Sequence, residues 1–473
     1  MMSMHTNRRR LALLPALLLA AAWPAAAQQG NASDSQELTL GAAIQFALKN
    51  NLSVRVADAR VDQAEGTRER AKAALLPEVT GHVLVNQQTV NLRALGLNFS
   101  FPGFALPTVI GPFDNYDFRL YGSQTLVNRQ ATHALKAADD EKQSAALNYE
   151  DSRSLVVRQT AALFLDGQAA QAEVESAESR VDTSQALEKL ARDQHDQGLA
   201  TGVDVLRAQV ALERDQQNLL VARNQYQVAL ISLERYIGIR PGTPITLAEP
   251  LEYHRLEIPD PDQILNDALR ARADYRSLDA QRKALIEQEK ASHARYYPTL
   301  QATGNYGAIG REIYQLPATG LIQATLSIDI FDRDRNGERK QLESQLKQLD
   351  DQIADLSRGI EQELRTAVLD LQSAEDQVRV TEQALDLAQK ELSLATDRFR
   401  NGLTDNIEVI TAQSSLAEAE EDRIEALARH ADARMALARA MGANENNYTN
   451  YLGATMPASQ PAGASQPAPQ ARP

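Results

Sequence analysis

Residues 190–209 read LARDQHDQGLATGVDVLRAQ, and residues 394–413 read LATDRFRNGLTDNIEVITAQ. Each stretch has helical spacing up to a Gly-Leu pair, Gly198-Leu199 in the first and Gly402-Leu403 in the second, and resumes that spacing a few residues later. A glycine after a helical run is typical of a helix end. Each stretch therefore predicts the tip of a helical hairpin, and the two tips have matching sequences.

The similarity between the tips extends over most of the chain. An offset of 204 residues aligns residues 126–238 with residues 330–442 without a gap, and an offset of 221 residues aligns Pro77 with Pro298. Such self-similarity indicates one structural unit that is built twice. The sequence predicts these parts in order: a signal peptide at 1–27, a first repeat at 28–238, a proline-rich linker at 239–261, a second repeat at 262–442 and a C-terminal tail at 443–473 that is disordered from about residue 454.

The N-terminal residues have the pattern of an export signal. Three arginines at 8–10 precede an apolar run from Leu11 to Ala22, and the alanines at 25–27 form a small-residue cleavage site. A membrane anchor is the alternative, but the run is shorter than the roughly 20 residues of a spanning helix and Pro15 interrupts it. We therefore expect an exported protein.

Composition excludes several classes of function. The net charge of −14 makes nucleic acid an unsuitable partner, and the absence of cysteine excludes disulfides, thiolate metal sites and a cysteine nucleophile. The histidines beyond the signal are scattered without ligand spacing. We find no phosphate-binding glycine loop and no nucleophile–base pattern, so we expect no enzyme, no cofactor and no metal site.

The period of apolar residues changes from helix to strand in two places. From Val79 to Val85 and from Leu300 to Tyr306, apolar or small residues alternate with polar ones, which predicts strands with one apolar face. We expect β-hairpins at 79–127 and 298–331. No run after the signal is apolar for the length of a membrane helix.

Details of the hairpins follow from the alternation. The second strand should begin near Tyr116 and the fourth should extend to Ile330. The first hairpin is longer by the difference between the two offsets, and the excess lies in a loop rich in glycine and proline. Seven aromatic residues between Phe99 and Tyr121 form either a hydrophobic hairpin core or, as an exported protein favours, a surface that touches lipid.

Long helices follow each hairpin. Helical spacing covers about 131–197 and about 336–400, which corresponds to a length on the order of 100 Å. An apolar or small residue at every seventh position from Tyr149 to Ala177 indicates a coiled coil. After each tip the chain returns as a helix. We expect residues 28–37 to lack regular structure.

Four strands are too few to close a barrel, and an open edge in lipid leaves backbone groups unpaired at a cost of several kcal/mol each. Membrane barrels begin at eight strands. Two chains would supply 8 strands and three would supply 12, so closure requires an oligomer whose size the residues alone leave open. The sequence therefore indicates an oligomeric conduit.

The order of signal, short helices, strand hairpin and long helical hairpin, repeated once, resembles the TolC-type outer membrane efflux protein family. The Gly-Leu turns resemble it as well, since each is followed by an acid and an apolar pair, Asp204-Val205-Leu206 and Glu408-Val409-Ile410. The resemblance covers about residues 38–442. It implies a mainly α membrane protein with internal duplication, in which coiled-coil hairpins form a periplasmic α-barrel and four strands per chain contribute to a trimeric, 12-stranded transmembrane β-barrel.

The resemblance also implies partners and site residues. The partners are a periplasmic adaptor (membrane fusion) protein, an inner membrane pump and outer membrane lipid, within a tripartite efflux or type I secretion system. The adaptor would dock on the hairpin tips at Gln197, Gly198, Leu199, Asn401, Gly402 and Leu403. The periplasmic aperture would be lined by Asp204, Phe399, Thr404, Glu408 and Thr411.

At three aperture positions the sequence departs from the best-known member of the family. Phe399, Thr404 and Thr411 replace a tyrosine, an arginine and a second acid. A ring of acids at the aperture would therefore depend on Glu408 alone. An ordinary glycine helix end at each tip and a solvated helix N-terminus at each acid are the structural alternatives.

A short motif after the fourth strand fits a calcium-binding loop, with its ligands and glycine at Asp332, Asp334, Asn336, Gly337 and Glu343. A calcium hand requires a helix before the loop, whereas a strand precedes this one. A strand-to-helix turn capped by Asn336 or Asp334 explains the motif better.

Two hypotheses of function remain. The first is a passive exit duct through the outer membrane. The second is a periplasmic coiled-coil scaffold that conducts nothing. The alternation of four strands favours the duct, because a scaffold has no need of apolar strand faces.

Overall fold

The computed structural model describes residues 36–96, 100–101, 103–105, 107–256, 260–443, 448 and 451. The expected signal peptide and the tail from residue 454 lie outside these residues. Within the described part, no helix combines the length and the apolar character needed to cross a membrane.

Each half of the chain consists of two short helices, a strand hairpin and two long helices. The helices are α1 Leu40–Asn50, α2 Leu52–Ala73, α3 Arg129–Asp196, α4 Gly202–Ile237, α5 Pro261–Ala271, α6 Ala273–Ala294, α7 Asp334–Arg400 and α8 Asn406–Ala440. The strands are β1 Gln36–Leu38, β2 Glu78–Asn91, β3 Ser100–Phe101, β4 Phe104–Ala105, β5 Val109–Val127, β6 Ile245–Leu247, β7 Thr299–Gly310 and β8 Ala318–Ser327.

The two β-hairpins, β2-β5 and β7-β8, form one antiparallel sheet in the order β2-β5-β7-β8. The strand β5 begins at Val109, before the expected Tyr116, because Ile110 pairs with Val90 in the far end of β2. The strand β8 ends at Ser327, short of the expected Ile330, because Ser327 pairs with the first residue of β7. The existence of both hairpins is confirmed, and two of their ends are corrected.

The register places most of the apolar residues of the four strands on one face, with Leu84, Ile309 and Leu321 as exceptions on the other. Directly opposed residues of an antiparallel pair share a face, and Gly81 opposes Leu120, which opposes Tyr306. Val83 lies on this face opposite Phe118. The other face is polar, with His82 opposite Arg119 and Thr303 opposite Gln323. The sheet is therefore amphipathic across its full width.

The long helices are 68 residues (α3) and 67 residues (α7) in length, as their spacing predicts. The side chain of Asn128 caps α3 by accepting a hydrogen bond from the Ala131 N–H at 2.9 Å. The helix α4 ends at Gly238, whose φ of 78° only glycine adopts readily. The main core lies between α1, α3 and α4, where Ile44, Phe164 and Leu233 are fully buried.

Two segments that we expected to be irregular pair with each other. Gln36–Leu38 forms a parallel two-stranded sheet with Ile245–Leu247 of the linker. Leu38 and Leu247 are buried in the main core, which explains why these short strands form. The expectation that residues up to 37 lack regular structure is therefore wrong at its last two positions, and the linker is partly a strand.

The expected cap of α7 is also corrected. The Asp332 carboxylate, rather than Asn336 or Asp334, accepts a hydrogen bond from the Asp334 N–H at 2.9 Å. Arg295 donates to Asp332 at 2.6 Å and to Glu338 at 2.8 Å. The acidic side chains of this turn thus bind arginine and join α6 to the start of α7.

Candidate functional site

The site that the sequence singles out is the pair of hairpin tips. At the first tip the Leu199 N–H donates to the Gln194 carbonyl at 2.8 Å, and the Gly198 N–H donates to the His195 carbonyl at 2.9 Å. This pair of bonds is the Schellman motif, which ends a helix with a residue in the left-handed region. Gly198 is that residue, with φ of 76°.

The second tip repeats this geometry. The Leu403 N–H donates to the Arg398 carbonyl at 3.0 Å, and the Gly402 N–H donates to the Phe399 carbonyl at 2.9 Å. Gly402 has φ of 67°. The two Gly-Leu pairs thus have one backbone structure, and the expectation of an ordinary glycine helix end is correct as far as the backbone is concerned.

The leucines of the tips are exposed, which a helix end alone does not require. The residue after the glycine of a Schellman motif usually packs back on its own helix. Leu199 is 67% exposed and Leu403 is 71% exposed. Gln197 and Asn401 lie beside them on the surface. Each tip therefore presents one apolar side chain on a polar turn.

The two tips pack side by side through a small core of their own, the tip core. It contains residues of all four long helices: Leu187, Ala191, Ala208, Ala395, Phe399, Val409 and Ala412. Phe399 is 3% exposed. An aperture residue of the sequence analysis thus turns out to be a core residue in the single chain, because an aromatic ring fills the space between the hairpins.

Asp204 is buried and serves as a cap. Its carboxylate accepts hydrogen bonds from the Thr201 N–H at 2.9 Å and the Thr201 hydroxyl at 2.7 Å, which completes a capping box at the start of α4. Burial disfavours the charged carboxylate, but the bonds from Thr201 and the nearby Arg207 outweigh it and lower the pKa of Asp204. In the single chain, Asp204 therefore helps to fix the first tip and is not an exposed acid.

The other aperture residues lie nearer the surface. Glu408 is exposed and forms an ion pair with Arg398 across its own hairpin, at 3.6 Å. Thr404 is half-buried, and the exposed Thr411 donates its hydroxyl to the Ile407 carbonyl at 2.8 Å. The structure thus brings Asp204 and Phe399 to the contact between the hairpins and leaves Glu408 and Thr411 accessible.

Two residues that the sequence analysis missed connect the hairpins. The Asn406 side-chain amide donates to the Asp204 carbonyl at 2.7 Å, and the Gln194 amide donates to the Phe399 carbonyl at 3.0 Å. Asn406 is fully buried. A signal was present, since Gln194 follows the core residue Leu187 by one heptad, and a polar residue at such a seam position commonly specifies register.

An open groove of about 720 Å³ extends from the tips along the contact between α4 and α8. Its apolar lining includes Val203, Leu206 and Val210 of α4 and Ile407 of α8. Arginines of α3 and α4 and glutamates of α8 line it as well. The groove therefore continues the exposed apolar surface that begins at the tip leucines.

Comparisons with known proteins agree with this architecture. The sequence matches the family described as outer membrane efflux protein over residues 43–239 and 264–443. It is 23% identical over 407 residues to the toluene efflux pump outer membrane protein TtgC of Pseudomonas putida, and the alignment covers 84% of this chain and 81% of the relative. It is 24% identical over 416 residues to the pyoverdine export outer membrane protein OpmQ of Pseudomonas aeruginosa, with coverage of 85% for both chains.

A solved structure shares the fold. The outer membrane protein VceC of Vibrio cholerae superposes with a TM-score of 0.73 at 20% identity, over 85% of this chain and 96% of that chain. The expected fold class, with long helical hairpins attached to a small sheet and an internal duplication, is thereby confirmed.

Proposed function

Because the chain belongs to the outer membrane efflux protein family, we propose that it is the passive exit duct of a tripartite efflux system. The protein lies in the outer membrane, with its helical part in the periplasm. In the proposed assembly three copies combine their strands into one 12-stranded barrel. Their helical hairpins stand side by side as a hollow cylinder with a wet interior.

The observation that carries this proposal is the apolar face of the sheet. Val79, Val83, Ile322 and Leu326 are 71%, 73%, 91% and 63% exposed in the single chain. Apolar residues on one face across four strands are unfavourable in water and favourable against hydrocarbon. A scaffold that stays in the periplasm would have no use for such a face.

The edges of the same sheet support an oligomer. Among the described strands, β2 and β8 each pair on one side only. In hydrocarbon every backbone polar group needs a partner within the protein, because no water is available. Further copies of the chain are the simplest source of strands that satisfy both edges.

The hairpin tips support the docking of a periplasmic adaptor. The relatives are named as outer membrane proteins of an efflux pump and of an export system, and such a protein needs a connection to the inner membrane. Leu199 and Leu403 supply exposed apolar contacts on matched turns. In this proposal an adaptor binds both tips of each chain, and the inner membrane pump supplies the energy.

Reconstitution tests the function directly. The purified protein, added to a planar lipid bilayer, should produce discrete conductance steps and should migrate as an oligomer that dissociates to single chains on heating. A protein that stays in aqueous solution without detergent and conducts no current would instead be the scaffold.

A further inference from the structure

The polar face of the four-stranded sheet carries very few charged side chains. The strands β7 and β8 contain no charged residue at all. In β2 the polar face has Glu78 at its first position. In β5 it has Asp117 and Arg119, whereas Asp114 lies on the other face, opposite Gln87. Within the described strands, the charge of this face therefore depends on three residues and on any histidine beside them.

Asp117 and Arg119 form a fixed ion pair. The Arg119 Nε donates to the Asp117 Oδ1 at 2.7 Å, and the Arg119 Nη2 donates to Oδ2 of the same carboxylate. Asp117 is buried. Gly307 of β7 lies opposite Arg119, and a Cβ at this glycine would be only 2.9 Å from the Arg119 Cγ. The absence of a side chain at Gly307 thus leaves the space that the arginine occupies, and the pair has no net charge.

His82 completes this group, which we call the His82 cluster (His82, Asp117, Arg119 and Tyr121). His82 is exposed and lies directly opposite Arg119. Its ring centroid is 4.7 Å from that of Tyr121, and the Arg119 Cζ is 5.2 Å from the same tyrosine centroid. The charged and titratable groups that face His82 are thus all on β5. On its own strand, Glu78 is four residues away, about 13 Å along β2.

The charge of the polar face changes with the protonation of His82. Histidine is the side-chain type that changes charge between about pH 5 and pH 8. Glu78 and Asp117 outnumber the single arginine, so the polar face has one net negative charge per chain when His82 is neutral. Protonation of His82 cancels that charge. Carboxylates titrate mostly below this range and tyrosines above it, so His82 is the group of this face that responds.

The bore of the proposed duct is narrow enough for this change to act on passing ions. The polar face lines the bore, because the apolar face contacts hydrocarbon. Twelve strands about 4.8 Å apart and tilted by about 40° give a barrel radius of about 12 Å to the backbone. Side chains reach inward from there, and the Debye length is about 10 Å in 0.1 M salt. Three unit charges at one level therefore change the potential on the axis by an amount on the order of RT.

We propose that the His82 cluster sets the ion preference of the barrel, and that His82 makes this preference depend on pH. The proposal rests on the proposed function, since it assigns a selectivity-determining site to the wall of the duct. Above the range in which His82 titrates, the wall favours cations. Below that range the wall is neutral, and anions, including anionic cargo, pass more readily than at high pH.

Reversal potentials test the proposal. The purified full-length protein in a planar bilayer, under a KCl gradient near 0.1 M, should show a K⁺ to Cl⁻ permeability ratio that falls roughly twofold between pH 8 and pH 5. The variant His82→Gln should lose this fall. At about 1 M salt the Debye length is about 3 Å, so the fall should disappear in the unchanged protein as well.

Two further variants separate the charge of His82 from its place in the structure. Thr319 opposes Gly307 and therefore lies at the same level of the polar face as His82. His82→Gln/Thr319→His should restore the pH dependence, because it returns one titrating charge to that level. The control His293→Gln removes an exposed histidine at the end of α6, outside the sheet, and should behave like the unchanged protein.

The ion pair gives an independent measurement. Asp117→Asn leaves Arg119 without its carboxylate, so the wall gains one positive charge per chain at every pH. The permeability ratio should fall roughly twofold already at pH 8. The yield of heat-modifiable oligomer shows whether each variant still assembles.

The outcomes distinguish this inference from the proposed function. A conducting His82→Gln protein with the pH dependence of the unchanged protein would overturn the inference and leave the duct in place. An unchanged permeability ratio in a conducting Asp117→Asn protein would overturn it too. A protein that conducts no current in any of these forms would overturn the proposed function itself.

Discussion

The buried side chain of Asn406 joins the two hairpin tips through its amide. Its hydrogen bond to the Asp204 carbonyl crosses between hairpins. We expect Asn406→Ala to weaken this contact by about 1–3 kcal/mol, because a buried polar group loses its partner. Hydrogen exchange at residues 187–209 should become faster. Asn401→Ala is the control, since Asn401 is exposed and its amide bonds within its own turn at 2.7 Å; equal exchange in the two variants would contradict the account.

We expect a buried histidine to make the stability of the helical part depend on pH. His430 is 2% exposed, and its ring centroid lies 4.9 Å from that of Tyr253, with the two rings tilted by 40°. Burial, together with the charge of Arg434, lowers the pKa of His430 to about 4, although Glu375 acts in the opposite direction. The folded state therefore favours the neutral ring. Its stabilising contribution is complete above the ordinary pKa of 6.5 and is lost as the pH falls from there to about 4.

The expected loss is up to about 3 kcal/mol. Thermal unfolding at pH 7 and at pH 4.5 measures it. His430→Phe should reduce the difference by this amount, because phenylalanine keeps the aromatic contact and does not titrate. The control His195→Phe, at an exposed position, should leave the difference in stability between the two pH values unchanged. An unchanged pH dependence in His430→Phe would show that another group is responsible.

Single residues show where sequence reasoning stops. Gly198 and Gly402 could be assigned to turns because only glycine readily adopts the backbone conformation that a helix end requires. Asp204 could not be recognised as buried, because the same acid at a helix start is favourable when exposed. The difference depends on the packing of the second hairpin against the first, which a local pattern does not contain.

At the scale of elements, we predict that the apolar face of β8 contacts the hydrocarbon of the membrane. Ile322 is on the apolar face and Gln323 is on the polar face. Ile322→Arg should hinder membrane assembly, at a cost of about 2–4 kcal/mol if the position lies near the bilayer midplane. Gln323→Arg should be tolerated. The yield of heat-modifiable oligomer in isolated outer membranes measures the effect of each variant. Equal yields for the Ile322→Arg and Gln323→Arg variants would contradict the placement of this face in hydrocarbon.

We predict that the hairpin tips bind the periplasmic adaptor through their exposed leucines. Leu199→Asp/Leu403→Asp removes both exposed apolar side chains without disturbing the core, so the protein should still assemble and conduct. Co-purification of a periplasmic adaptor should be lost. Leu220→Asp, at an equally exposed position of α4, is the control. Adaptor binding that survives the tip variant would place the docking surface elsewhere.

Elements with a long, regular period were predictable, and short ones were not. The helices α3 and α7 and the hairpins of the sheet have many repeats of a 3.6- or two-residue pattern. The strands β1 and β6 have three residues each, too few for a period. They form because Leu38 and Leu247 enter a core that other elements build.

At the scale of the whole molecule, the duplication explains why the two halves have the same architecture and why the outer strands β2 and β8 each pair on one side only. The duplication joins two half-sheets and two hairpins through one internal contact, and it leaves one surface of each kind free at the two sides. The sequence was sufficient to predict the duplicated architecture, because each offset is constant over the segment that it aligns. The number of copies that close the ring does not follow from the chain, since it depends on the angle at each contact between copies.

The mass of the detergent-solubilised complex tests the central claim most directly. Native mass spectrometry of the purified protein should give three times the mass of one processed chain, with no stable population of single chains before heating. A well-behaved monomer in detergent, with its sheet already closed, would contradict the account.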